Sequence, residues 1–275
     1  MLQRTDLALE AHESAWGEGV KLTRKNHEGI EVVEVLVETD DAVKRLKKPM
    51  GKYITIKAKA LLYDTDTYTN TCALLAESIK AVSDTRKDIL VAGLGNRAIT
   101  PDALGPEVVS RVFVTNHIKE QLQYDFVEKL GRVSAIAPGV LGTTGMETSD
   151  ILKGIVREKK PELVIVVDAF AASDAENIST TIQVSDTGLT PGGGVGNRRN
   201  AINEEMLGVP VIAIGVPTVV DADILSGGRV SGGNLVVTPK EIDLVIDRAA
   251  KTIANGINMA AHPDLTIEEI ESYIG

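Results

Sequence analysis

Apolar and β-branched residues collect in short runs at 30–37, 53–56, 89–92, 132–137, 163–168, 180–184 and 209–216, and several runs hold almost no polar residue. Such continuity predicts strands covered on both faces, because a sheet with one wet face alternates polar and apolar positions. Between them, the pattern predicts helices over 70–82, 106–129, 148–158, 239–260 and 266–273. The last opens on Thr266 and Glu269, the spacing of a capping box, in which each side chain serves a free backbone amide. Strands alternating with helices define an α/β class, a mostly parallel or mixed sheet flanked by helices. Repeats and low-complexity tracts are absent, and the glycine-rich stretch 191–196 is too short for a linker and reads as a binding loop. One domain over 1–275 is expected, with residues 1–85 as a decoration on the central sheet.

Composition narrows the function classes. A net charge of −10 argues against a polyanion-binding surface, so no direct nucleic-acid partner is expected. The single cysteine, Cys72, excludes a disulfide framework and a cysteine-built zinc site, and its place in a helical stretch predicts a buried thiol. An acid already at residue 6, no apolar signal core and no run of bilayer length predict a cytoplasmic protein without membrane contact.

Two acids carry the chemistry. Asp102 lies in the loop Gly93-Leu94-Gly95-Asn96-Arg97-Ala98-Ile99-Thr100-Pro101-Asp102-Ala103-Leu104-Gly105-Pro106, and Asp168 closes the run 163–168. Parallel strands deliver ligands and side chains to their carboxyl edge, so both acids are expected to face one crevice. Two close carboxylates split their titrations into an acid and a base. A helix start near Asp102 favours its charged form, and the apolar run before Asp168 desolvates it. Asp102 is therefore assigned as water-activating base and Asp168 as protonated donor. Spacing alone equally allows a helix-start acid and a strand-end cap.

The Gly93 loop satisfies G-x-G-x-x-A, but Pro101 keeps Thr100 out of helical geometry and delays the helix that a dinucleotide would need. No phosphate-binding lysine follows the glycines. Two further loops, 138–148 and 190–197, are expected at the same edge, where glycines let backbone amides approach a carbonyl or clamp an extended peptide. Gly192, Gly193 and Gly194 are the candidate contacts. Asp221 and Asp223, after the run 209–216, are a rival pair of acids. For metal, the four histidines His12, His27, His117 and His262 lie beside no acid motif, and Asp64 and Asp66 lack the glycine and closing glutamate of a calcium hand, so helix capping is their reading. No metal and no cofactor are expected.

Taken together, the segments 4–13, 93–106, 138–148, Asp168-Ala169, 185–188 and 196–199 resemble the germination protease family of spore-forming bacteria, over nearly the whole chain. The resemblance implies an endopeptidase of the spore core that degrades small acid-soluble spore proteins, cuts beside glutamate, is made as a zymogen and assembles as a homotetramer. It matches the family's two essential aspartates to Asp102 and Asp168. It also implies a fold similar to hydrogenase-maturation proteases (phosphorylase/hydrolase-like), whose third, histidine, ligand has no counterpart here, which favours a metal-free aspartic mechanism. Only Met1, Leu2 and Gln3 precede Arg4, so either the prosegment is missing or cleavage falls inside the motif, near Glu10. Selection of glutamate by an acidic protein calls for a local cation, and Arg97, Arg198 and Arg199 beside the glycine loops are the candidates. A metal-dependent maturation-type peptidase and a non-catalytic anion- or nucleotide-binding α/β protein are the alternatives.

Overall fold

The structure, a computed structural model, describes residues 5–85, 87–121, 125–128, 130–195, 199–225 and 235–274. Nine strands among them form one sheet: β1 (Val20–His27), β2 (Ile30–Val37), β3 (Gly51–Lys57), β4 (Asp88–Gly93), β5 (Arg132–Ile136), β6 (Leu163–Ala172), β7 (Thr181–Ser185), β8 (Val211–Asp221) and β9 (Val236–Val237). Their spatial order is β1-β2-β3-β7-β8-β6-β4-β5, with β9 beside β8. The contacts β5/β4, β4/β6 and β6/β8 are parallel and the rest antiparallel, so the sheet is mixed. Residues 20–57 join the parallel half through β3 and β7, as continuous extra strands of the same sheet.

The helices are α1 (Ala8–Ser14), α2 (Asp40–Leu46), α3 (Thr65–Val82), α4 (Leu104–Val109), α5 (Asn116–Gln121), α6 (Asp125–Glu128), α7 (Leu141–Thr144), α8 (Thr148–Lys159), α9 (Glu204–Leu207), α10 (Ala222–Leu225), α11 (Ile242–Ala261) and α12 (Ile267–Ile274). The long helices α3 and α11 pack with α4 over one face, burying Leu75, Ile79, Ile165, Ile214 and Ile253 in the main core. On the other face, Leu152 and Val156 of α8 meet Leu90, Val164 and Val166. A third cluster joins α1 and α2 to Val33, Val35 and Tyr53. No helix among the described residues is long and apolar enough to cross a membrane.

Several elements differ from expectation for clear reasons. The helix expected over 106–129 is broken, because the chain at 113–115 is drawn off by tertiary bonds: Phe113 N donates to Asn258 Oδ1 (2.9 Å), and Thr115 N to Val133 O (3.0 Å). β1 was not foreseen, since an edge strand with mostly exposed side chains carries little apolar signal. β6 and β8 run past their expected ends, so Asp168 lies inside a strand rather than at its close, and Asp221 ends β8. The expected minor features hold: Asp64 caps α3 through Thr67 N, Thr266 and Glu269 bond each other's backbone amides, and Cys72 is buried.

Candidate active site

The chain leaves β4 for β5 on one side and then places β6 on the other, so the carboxyl ends of β4 and β6 mark a switch point, where a crevice must open. β4 stops first. Its last pair with β6 is Gly93 with Val167, extended by Leu94 N donating to Val167 O (2.8 Å). Asp168 is the next residue of β6; it keeps β8 as its neighbour on one side while β4 has ended on the other. Its side chain is 5% exposed and its Oδ1 accepts from Ala169 N (2.9 Å).

Asp102 arrives from the other strand through two close backbone approaches. Gly93 and Gly105 face each other so tightly that a Cβ on Gly93 would fall 2.0 Å from Gly105 O. Gly95 has φ +115°, and its Cβ would fall 2.0 Å from Asp102 O. These contacts account for the glycine spacing without any dinucleotide. Asp102 ends a 3₁₀ turn, Thr100–Asp102, and its Oδ2 accepts from Asn96 N (2.8 Å). Thr218 of β8 fixes the turn by donating to Pro101 O (2.8 Å).

Both acids line one cleft of about 130 Å³, with Val140, Glu147, Ser149, Gly192 and Arg199 among its walls. Burial raises Asp168 well above the usual carboxylate range, and the nearby charges of Asp102 and then Asp6 add to the rise. Burial also raises Asp102, opposed by the Asn96 amide. Asp168 is thus the acid that holds its proton more firmly.

The three candidate arginines separate. Arg199 reaches the cleft and is paired there with Glu147 (3.0 Å), itself a wall residue. Arg97 is mostly exposed and paired with Glu107 (3.0 Å), away from the lining. Arg198 lies outside the described residues. The glycines separate as well: Gly192 lines the cleft, Gly193 lines a neighbouring cavity and donates its amide to Thr190 O (3.0 Å), and Gly194 packs on Asp6. The amides of Thr143 and Thr144 are taken by Val140 O in the single turn of α7 (2.9 and 3.0 Å), so those parts of the loops do not serve as free oxyanion donors. Asp221 and Asp223 are not among the cleft walls; Asp221 accepts from the Asp223 amide (2.9 Å). Sequence reasoning missed Glu147 and Asp6 as neighbours of the acids. Only the folded topology brings residue 6 to β6.

Among the described residues no group of three or more His, Cys, Asp or Glu is placed to hold a metal ion. His262 is engaged elsewhere, accepting from Gly131 N (3.0 Å) and facing Phe113 O (3.3 Å), and burial pushes its imidazole down to about 4.

Fold and cleft together define an α/β protein with an acid-lined site at the switch point of a mixed sheet. A sequence model of the germination protease family matches residues 1–231 and 229–274. The germination protease of Caldanaerobacter subterraneus is 43% identical over 316 aligned positions, covering 98% of each chain. Those of Clostridium acetobutylicum (38%, 98% of each chain) and Bacillus cereus (36%, 98% of this chain and 96% of the relative) are similar over the same extent. These alignments are longer than this chain, so the relatives carry residues that it lacks. The chain belongs to the germination protease family and is a peptidase of spore germination. A NiFe hydrogenase maturation protease, HycI from Thermococcus kodakarensis, is similar in structure at 20% identity and a TM-score of 0.39, over 67% of this chain and 98% of that one; a likeness this distant carries no argument about chemistry.

Proposed function

We propose that the protein is an endopeptidase that opens the degradation of small acid-soluble spore proteins in the spore core, using Asp102 and Asp168 as an atypical aspartic pair. The observation that carries this reading is the cleft itself, lined by one acid from the 3₁₀ turn after β4 and one from β6, with the deeper one pushed to hold its proton. Asp102 accepts a proton from water as the water oxygen bonds to the scissile carbonyl carbon. Asp168 gives its proton to the carbonyl oxygen. On collapse, Asp102 passes its proton to the leaving nitrogen, the C–N bond breaks, and Asp168 regains a proton from the former carbonyl oxygen. A zymogen form and a homotetramer belong to the same reading. Glu10 is buried in α1 and accepts from Ser173, Asp174 and Asn177, so cleavage near it would require the segment to leave this arrangement.

The test is digestion of a purified small acid-soluble spore protein by the wild type, Asp102→Asn and Asp168→Asn, with and without chelator, with product termini mapped. Chelator-resistant cleavage beside glutamate, lost in both variants, is expected. Chelator-sensitive cleavage, or full activity in either variant, would remove the metal-free pair.

Specificity follows from Arg199. Among the described residues its guanidinium is the cation that lines the cleft and suits a substrate carboxylate, and Glu147 pairs with it. Glu147→Gln is expected to lower KM for substrates cut beside glutamate, and Arg199→Ala to raise KM about tenfold or more. Steady-state kinetics on paired glutamate and glutamine peptides checks this, and equal effects on both peptides would take Arg199 out of the specificity site.

A further inference from the structure

A third carboxylate, which the mechanism above does not use, sits at the centre of a dense polar cluster. Asp6 N donates to Ala171 O (3.0 Å) and Asp6 Oδ2 accepts from Ala171 N (2.9 Å), so main chain and side chain together grip the residue three places beyond Asp168 on β6. The backbone amide of Gly194 lies near the Asp6 carboxylate and favours its charged form. The loop touches so closely there that a Cβ on Gly194 would fall 2.3 Å from Asp6 Oδ2 and 2.8 Å from Ala171 Cβ. Lys48 Nζ donates to Thr5 O (3.0 Å) and Asp6 O (2.8 Å), and Gln183 Nε2 to Asp6 O (3.2 Å). Glu10 binds the next residues of the same strand end, accepting from Ser173 N (2.7 Å) and Asp174 N (3.1 Å). Asp6 lines a neighbouring cavity of about 290 Å³ and is not among the walls of the acid cleft.

We propose that Asp6 is a positioning residue for the acid pair, its carboxylate tying the end of β6 to the 191–195 loop. The catalytic part of this inference rests on the reading of Asp102 and Asp168 given above. Asp6 does not touch the reacting atoms; it acts through strand and loop, and through its charge. The charged groups facing it are Lys48 from the turn after α2, Glu10 from α1 and Asp168 from β6, and the loop contributes the Gly194 amide. Burial raises the Asp6 carboxyl above the usual carboxylate range, opposed by Lys48 and by the backbone amides of Ala171 and Gly194, while Glu10 adds to the rise. Once ionised, Asp6 is one of the influences that raise the proton affinity of Asp168.

The test is a carboxyl carbon-13 NMR titration of the full chain as wild type, Asp6→Asn and Asp6→Ala, with Asp168→Asn identifying the Asp168 signal. Asp6→Asn keeps an acceptor oxygen and removes the charge, so the Asp168 titration is expected to move down by about one pH unit, and the alkaline limb of the pH–rate profile with it. Asp6→Ala removes the tie as well, and amide exchange at Ala171 and Gly194 is expected to speed up about tenfold or more. An unmoved Asp168 titration in Asp6→Asn overturns the charge effect, and unchanged exchange in Asp6→Ala overturns the tie. A titration that moves while the pH–rate profile does not would leave the Asp6 inference standing and sink the catalytic role of Asp168. Should neither Asp6 variant fold, Gly194→Ala strikes the same carboxylate from the loop side, and protection of the Ala171 and Gly194 amides equal to wild type would overturn the proposal.

Discussion

Asp168→Asn is expected to cut proteolysis by about 10²–10⁴-fold and, at the same time, to stabilise the fold. The opposite signs come from one cause. Asp168 is 5% exposed, and its proton affinity in the fold is raised by burial, by Asp102 and by Asp6. A carboxyl whose folded pKa exceeds its unfolded value of about 3.9 favours the fold below that pH, and the contribution is lost as pH rises through the folded value. Asparagine has no proton to lose, so the variant escapes that loss. Its advantage should be absent near pH 3, grow through the weakly acid range and reach about 1–2 kcal/mol at neutral pH. Urea midpoints at pH 4, 6 and 8 measure it. A variant no more stable than wild type at pH 8 would show that the buried carboxyl carries no such strain.

Gly105→Ala is the second large effect, and here stability and activity should fall together. The added Cβ would lie 2.2 Å from Leu94 O and 2.3 Å from Leu94 N, which are backbone atoms and cannot swing aside. Relief requires α4 to move off the end of β4, carrying the 3₁₀ turn of Asp102 with it. A cost of about 2–3 kcal/mol and a fall in Tm on the order of 5–10 °C are expected, with most cleavage lost even in the fraction that remains folded. Gly154→Ala is the control: it lies on the exposed side of α8, and its Cβ would meet nothing within 4 Å. That change should be neutral or stabilising by up to about 1 kcal/mol, by helix propensity alone. Equal behaviour of the two variants in thermal unfolding would refute the close-approach account of the Gly93 loop.

The sequence made the interior of this protein legible and its edges obscure. Runs such as 163–168 and 209–216 are apolar because they are covered on both faces, so strand identity could be read from them directly. Their ends could not, because small residues such as Ala169, Ala171 and Ala172 suit strand and loop alike until a partner strand is known. Asp168 consequently reads as a strand-end acid when it is an interior one. β1 escaped notice because it pairs along one side only, and α1 because its N-cap, Leu7, offers no side-chain oxygen. The two acids and Arg199 were visible as residue types beside buried strands. Glu147 and Asp6 were not, since each gains its meaning from a partner far off in the chain, Arg199 and Ala171.

The two acids are mounted on unlike supports. Asp168 is embedded in the longest parallel contact of the sheet, with β8 alongside it and four more residues of β6 beyond it. Asp102 rides on a single 3₁₀ turn, held by one bond to Asn96, one to Thr218 and the fit of Gly93, Gly95 and Gly105. In the proposed mechanism the cleft therefore has an anvil and a hammer: adjustment of the gap to an incoming peptide bond falls to the Asp102 turn, while Asp168 holds its proton on the more heavily supported strand.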